Sequence, residues 1–360
     1  MERFNSATMV ISGKGALATL KEQRCRRLLV VTDEMRMQNG QARQTAAAAG
    51  CETVAYYDAV APEPTMKQAV EGAEEIKRFS PDLVAAVGGR NVLDCAKAMV
   101  CFSRQDCILA AVPTRLTGGA EVADQVLLNH NHCRHLLQDD RMRPDLAVLE
   151  PGFGRLLTRR EIGEGGFALL SASAEAYSAG NRGMLTEIHA REAFSAVWGA
   201  LPAALLGNEA ARQRMQTASV LAGMAWNTVG MGLCHALENS LGCLLHLPRG
   251  CLAGILLPAV MGCNAYAVGQ RYAELARAAG MGGSSEGIGV RNLKMGLIRL
   301  RREMGMPGTL TQAGVPPRKV WDQVGRIVAL TLEDPACRNN PVAADDFVVR
   351  RILEEITGRL

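Results

Sequence analysis

Two adjacent glycines, Gly88 and Gly89, follow the apolar run Leu83–Val87 and precede Arg90-Asn91-Val92-Leu93-Asp94-Cys95-Ala96-Lys97-Ala98. A strand, a glycine turn and a helix N-terminus in that order make an anion cradle. The first backbone N–H groups of a helix lack partners, and its dipole favours negative charge there. The same spacing also serves a tight turn that holds nothing, so alone it leaves both readings open. His130, His132 and His135 crowd around Arg134, and a His-x-His pair can bind a metal; in this polar stretch they read as a surface cluster. His189, inside Glu187-Ile188-His189-Ala190-Arg191-Glu192, reads as a solvated helix face. The eleven cysteines include no Cys-x-x-Cys pair and no zinc-finger spacing. Several of them (Cys95, Cys101, Cys107, Cys234, Cys243, Cys251) sit in apolar runs, where a free thiol behaves as a small hydrophobe.

The elements that must carry these residues can be read from the apolar pattern. Leu28 to Asp33, Thr53 to Tyr57, Asp82 to Val87, Ile108 to Val112 and Leu146 to Leu149 are short β-rich runs, and amphipathic stretches such as Met66 to Phe79 lie between the first three. Apolar strands alternating with helices predict βαβ units and a parallel sheet covered on both faces, a doubly wound nucleotide-type domain. After about Arg155 the chain is rich in Ala, Leu, Met and Gly with helical periodicity. The expected organisation is an α/β domain over 1–154 and an all-helical domain over 155–360, divided in Glu150-Pro151-Gly152-Phe153-Gly154. Ligands in such chains are expected between the strand carboxyl ends and the facing domain.

Composition excludes several functions. The 360 residues are 48% apolar and 21% charged, which fits globular domains and not wholesale disorder. A net charge of +4 with interspersed signs and only 4% aromatic residues leaves no nucleic-acid footprint. The segment Cys251–Met261 is apolar but too short to span a bilayer and contains Pro258, so it reads as a buried helix and no membrane association is expected. The odd cysteine count and the lack of a signal peptide predict a reducing cytosol.

Further motifs occur in a fixed order: Val60-Ala61-Pro62-Glu63-Pro64-Thr65, the Gly88-Gly89 turn, Pro113-Thr114-Arg115-Leu116-Thr117-Gly118-Gly119-Ala120-Glu121-Val122, and Glu175-Ala176-Tyr177. Gly230-Met231-Gly232-Leu233-Cys234-His235-Ala236-Leu237, Leu247-Pro248-Arg249-Gly250 and Leu256-Leu257-Pro258-Ala259-Val260-Met261 follow, then Glu333-Asp334 and Asn339-Asn340-Pro341. Taken together, the set resembles the iron-containing (group III) alcohol dehydrogenases over nearly the whole chain, with the flavour of the ethanolamine-utilisation and propanediol-type members. The resemblance implies a dinucleotide-binding α/β domain plus an all-α domain, a dehydroquinate synthase-like architecture. It also implies a divalent metal, interconversion of small alcohols and aldehydes with NAD(H) or NADP(H), and dimers. Asp33 matches the acidic residue that favours NAD(H). Gly88, Gly89, Asp94 and Lys97 match the pyrophosphate loop, in which Asn91 is a further candidate cofactor residue, and Thr114 and Gly119 match the second phosphate and nicotinamide loop. Departures are visible as well: Arg90 and Asn91 replace a glycine and a serine, Arg115, Leu116, Thr117 and Ala120 alter the second loop, and Glu63 places a carboxylate before Pro64-Thr65.

The resemblance further implies four metal-ligand positions: an Asp and a His four residues apart on one helix, and two His fourteen apart on another helix and the loop after it. Anchored on Gly166 and Glu175-Ala176-Tyr177, these positions fall on Ala168, Ala172, His235 and Arg249. Only His235 retains a ligand. Asn239 replaces an additional His, and Glu164 lies one turn before Ala168, too far along the axis to substitute. His246 reads as a packing residue. A metal is therefore not expected. One expectation is a non-catalytic relative, a pseudoenzyme that partners an active dehydrogenase or another enzyme, in the cytoplasm or a metabolic microcompartment. Another is an NAD(H)-dependent oxidoreductase without metal, in which Arg249 stabilises a developing alkoxide and His235 moves the proton. A third is a change of chemistry on the same scaffold.

Overall fold

A computed structural model describes residues 4–130 and 133–358. His132 lies outside them. The strands are β1 (Met9–Ser12), β2 (Arg27–Thr32), β3 (Thr53–Tyr57), β4 (Leu83–Gly88), β5 (Ile108–Pro113), β6 (Gln125–His130), β7 (Cys133–Gln138) and β8 (Leu146–Leu149). The first helices are α1 (Glu34–Gln38), α2 (Gln41–Ala49), α3 (Met66–Phe79) and α4 (Arg90–Ser103). Helices α5 (Arg159–Ser178), α6 (Met184–Leu205), α7 (Glu209–Val229), α8 (Leu233–Leu245) and α9 (Arg249–Ala278) follow. The last are α10 (Glu286–Glu303), α11 (Pro317–Trp321), α12 (Val324–Glu333) and α13 (Asp346–Thr357). The expected architecture is present: a parallel α/β sheet in the N-terminal part and helices after it.

Of the described residues, those within 5–157 and 207–223 form one compact unit, and residues 4, 158–206 and 224–358 form the other. Helix α7 is divided between them. In the α/β unit six parallel strands run in the order β1-β8-β5-β4-β2-β3. Strand β4 is buried along its whole length because both faces are covered. Leu29, Val31, Val84, Ala86, Leu109 and Ala111 pack under α3 and α4. The alternate residues Leu28, Val30, Leu83, Ala85, Val87, Ala110 and Val112 pack under α2 and the turn of helix at Ala16–Gln23. A one-residue shift would exchange the two sets. Helix α3 starts at Thr65, whose hydroxyl accepts from Gln68 N. Strands β6 and β7 form an antiparallel hairpin that the polar sequence around His130 did not announce.

In the helical unit α5 begins with a capping box, Thr158 and Glu161 each satisfying the other's backbone N–H. Helix α9 contains the apolar segment expected as a buried helix; its most apolar window is 67% buried, as in a core helix, although by length and composition α9 could cross a membrane. Gly250 lets α9 meet α5. A Cβ there would lie 2.1 Å from the carbonyl oxygen of Glu164. The ten cysteines with described side chains are free thiols.

Candidate active site

In the α/β unit, β2 leads through α1 and α2 on one face while β4 leads through α4 on the other, so the carboxyl ends of β2 and β4 flank the crevice where open α/β sheets bind ligands. Gly88 closes β4 and packs hard against the first turn of α4, where a Cβ would sit 2.5 Å from Val92 Cβ. Gly89 is the N-cap of α4 and supplies no capping side chain. The 14-residue helix therefore offers its first-turn N–H groups at the turn. Thr114 N donates to Gly88 O at 2.9 Å, which joins the two candidate phosphate loops. Gly119 adopts φ +94°, and its N–H donates to Ser219 Oγ at 3.1 Å. Its backbone touches α7 so closely that a Cβ on Gly223 would lie 2.6 Å from Gly119 Cα.

The remaining predicted residues of this half hold the loops from inside or beside them. Asp94 is buried, accepts from Leu127 N at 3.2 Å, and pairs with Arg90 at 3.3 Å. Lys97 has no exposed surface and donates to Gln125 O at 2.7 Å and Ala120 O at 3.1 Å. Burial pushes its ammonium down to about 8, with the Asp94 carboxylate opposing that shift. Exposed Asn91 donates to Pro62 O. Arg115 lies over Gly89, its Cδ 3.3 Å from the position of a Cβ there, and Arg90 reaches toward Gly118. Glu63 pairs with Arg134 at 3.6 Å and accepts from Asn129 at 3.3 Å, which tempers its charge. Asp33 caps α1 and is bound by Arg36, a buried cation that motif reading passed over. Its signal was the i, i+3 spacing of opposite charges at a helix start.

In the helical unit Ala168 and Ala172 lie on α5, with the buried Ser171 between them. Ser171 Oγ is 3.2 Å from Cys234 Sγ and 3.4 Å from Glu238 Oε1 on α8. His235 and Arg249 come together: Nη2 of Arg249 is 2.6 Å from Nδ1 and 3.1 Å from Nε2 of the imidazole. Guanidinium has donors only, so a ring nitrogen of His235 accepts from it. The same Nη2 is 3.5 Å from Glu238 Oε2. Glu238 is one turn beyond His235 on α8 and was not singled out by motif reading; i, i+3 placement on a helix otherwise reading as core was its only signal. Burial raises its carboxyl, and the Arg249 guanidinium works against that.

Glu175 reaches the N-terminus of α8, accepting from Cys234 N at 2.7 Å and His235 N at 3.4 Å. Burial first, and then the charge of Glu238, push it up to about 8 despite those N–H groups. Asn239 donates to Asp334 Oδ2 at 2.8 Å, and Asp334 in turn caps the turn of helix at Pro335–Asn339. His246 is the left-handed C-cap of α8, His189 bonds Leu185 O on α6, and His130 and His135 meet edge to face on the hairpin. Among the described residues no three His, Cys, Asp or Glu are grouped to hold a metal ion.

Residues 164–357 match the Fe-containing alcohol dehydrogenase family, C-terminal, and residues 7–151 match iron-containing alcohol dehydrogenase. The chain is 28% identical to 1-propanol dehydrogenase PduQ of Citrobacter freundii over 370 residues, covering 99% of this chain and 100% of that one. An iron-containing alcohol dehydrogenase from Thermococcus thioreducens superposes with a TM-score of 0.90 at 25% identity, covering 99% and 100% of the two chains. Sulfoacetaldehyde reductase from Bifidobacterium kashiwanohense, in complex with NAD+, shares the fold with a TM-score of 0.89 at 22% identity, covering 99% and 98%.

Proposed function

The chain belongs to the iron-containing alcohol dehydrogenase family, and from that premise we propose a dinucleotide-binding relative that does not hold the family's divalent metal. The family consists of oxidoreductases that use NAD(P). The contact between Arg249 and His235 carries the reading. An imidazole nitrogen that accepts from a guanidinium has no lone pair to give a metal. A dication about 4 Å from that permanent charge would be repelled by about 8 kcal/mol at an effective dielectric near 20. The methyl groups of Ala168 and Ala172 offer no donor, so the residues present do not fit a divalent cation.

The glycine turn, the uncapped start of α4 and nearby Arg90 and Arg115 do fit an anionic cofactor. In this reading metal-dependent conversion of alcohols and aldehydes is weak or lost. The chain acts as a dimeric companion of an active dehydrogenase, in the cytoplasm or in a compartment of the propanediol type. A second reading rests on the exposure of Arg249, whose side chain is 20% accessible. A bound reduced nicotinamide would supply hydride to the carbonyl carbon; Arg249 would donate to the oxygen that gains charge, and His235, on releasing the guanidinium and taking a proton from water, would pass that proton to the oxygen.

Purified protein should carry no metal, bind a reduced nicotinamide dinucleotide, and reduce small aldehydes very slowly, with no gain on adding Fe2+ or Zn2+. Metal-stimulated turnover would sink the first reading. Metal-free turnover that disappears in Arg249→Ala would favour the second. Recovery of no other enzyme in a pull-down would remove the companion role.

A further inference from the structure

Building on the dinucleotide reading, we infer that Arg36 sets which dinucleotide the crevice takes: it cancels the discrimination that Asp33 would impose and admits a cofactor bearing a 2′-phosphate. An unpaired carboxylate at the end of β2 repels a 2′-phosphate and accepts from a 2′-hydroxyl. Asp33 is not unpaired. Its Oδ1 accepts from Arg36 N at 3.0 Å and from Arg36 Nη1 at 3.2 Å, and its Oδ2 accepts from Nη1 at 3.0 Å. Both oxygens are therefore engaged by one residue, and the carboxylate's charge is matched by a guanidinium in contact with it.

The guanidinium is fixed rather than wandering. Arg36 is 6% exposed, and its Nε donates to Thr114 Oγ1 at 3.1 Å. Asp33 follows β2 and Thr114 follows β5, while β4 lies between those strands in the sheet. The Arg36 side chain thus spans the carboxyl end of β4, beside the Gly88–Gly89 turn. Its donors are engaged by Asp33 and Thr114, but the positive charge held in that place offsets Asp33 and matches a phosphate's charge where Asp33 alone would oppose it.

Equilibrium titration of the full chain with NADH and NADPH, followed by cofactor fluorescence and by calorimetry, tests this without relying on turnover. The wild-type chain should bind NADPH at least as tightly as NADH. Arg36→Leu should weaken NADPH by about tenfold or more relative to NADH, because Asp33 loses its counter-charge. Arg36→Lys, which keeps a cation, should retain most of the NADPH affinity and covers the case in which the leucine variant does not fold. A wild-type preference for NADH of tenfold or more overturns the inference and leaves the dinucleotide reading standing, as does an Arg36→Leu variant that changes both cofactors alike. Binding of neither cofactor to the wild-type chain removes the dinucleotide reading and the inference with it.

Discussion

Replacing Arg249 with methionine keeps much of the side chain's apolar stem and deletes the charge that faces Glu238. Glu238 is 2% exposed and lies 3.5 Å from the guanidinium. Two unit charges at that separation attract by about 5 kcal/mol at an effective dielectric near 20. Two effects reduce the measured cost: the guanidinium is partly solvated, and the abandoned carboxyl can take up a proton. Arg249→Met should therefore cost about 2–4 kcal/mol of unfolding free energy at neutral pH, measured by urea denaturation. The sign of its pH dependence follows from linkage. Without Arg249 the folded-state pKa of Glu238 rises further above its ordinary value of 4.5, so the folded state binds that proton more tightly than the unfolded chain. Stability then falls as pH climbs through that window, and the deficit shrinks toward pH 5. Glu238→Gln in the same background should recover most of the loss. A cost below about 1 kcal/mol, or no rescue by the second change, would refute the charge pairing.

Three other outcomes follow from the helical unit. Glu175 is pushed from 4.5 to about 8, so its charged form opposes folding as pH rises through that range; Glu175→Gln should leave the melting temperature unchanged near pH 5 and raise it near pH 8.5, and a variant that melts lower at both values contradicts the shift. Gly250→Ala places a Cβ 2.1 Å from a backbone oxygen that cannot swing away, and should cost about 3 kcal/mol or more in denaturant. Gly254→Ala meets the flexible end of Met306 at 3.1 Å and should cost far less; equal costs for the two would contradict the close approach of α9 to α5.

Much of the scaffold could be read from the chain because burial on both faces leaves unbroken apolar runs. Strands β2, β4, β5 and β8 are such runs, and they carry the sheet. Strand β1 was missed for the opposite reason: it is an edge strand with exposed Met9 and Val10, and its partner β8 lies far along the chain. The hairpin was missed because its strands carry Asn129, His130, Arg134 and His135 where an apolar alternation would have marked them. At the candidate site, Ala168 and Ala172 were singled out by the family resemblance, and both lie on α5. The partner of Asp33 and the carboxylate beside Arg249 were not legible. That Arg36 reaches Thr114 depends on strand order, and that Glu238 is buried beside Arg249 depends on how α8, α5 and the start of α9 pack. That residues 207–223 cluster with the α/β unit is likewise a matter of contacts made far from their neighbours in sequence.

Metal content tests most directly whether, as proposed, the Arg249 guanidinium stands in place of a divalent metal. The wild-type chain, produced with Fe2+ or Zn2+ in excess and then desalted, should contain far less than one metal per chain by elemental analysis. The same preparation of the triple variant Ala168→Asp, Ala172→His, Arg249→His should approach one per chain, since His235 then regains three ligating neighbours. A wild-type chain that holds one equivalent of metal, or a triple variant that holds none, would contradict the account.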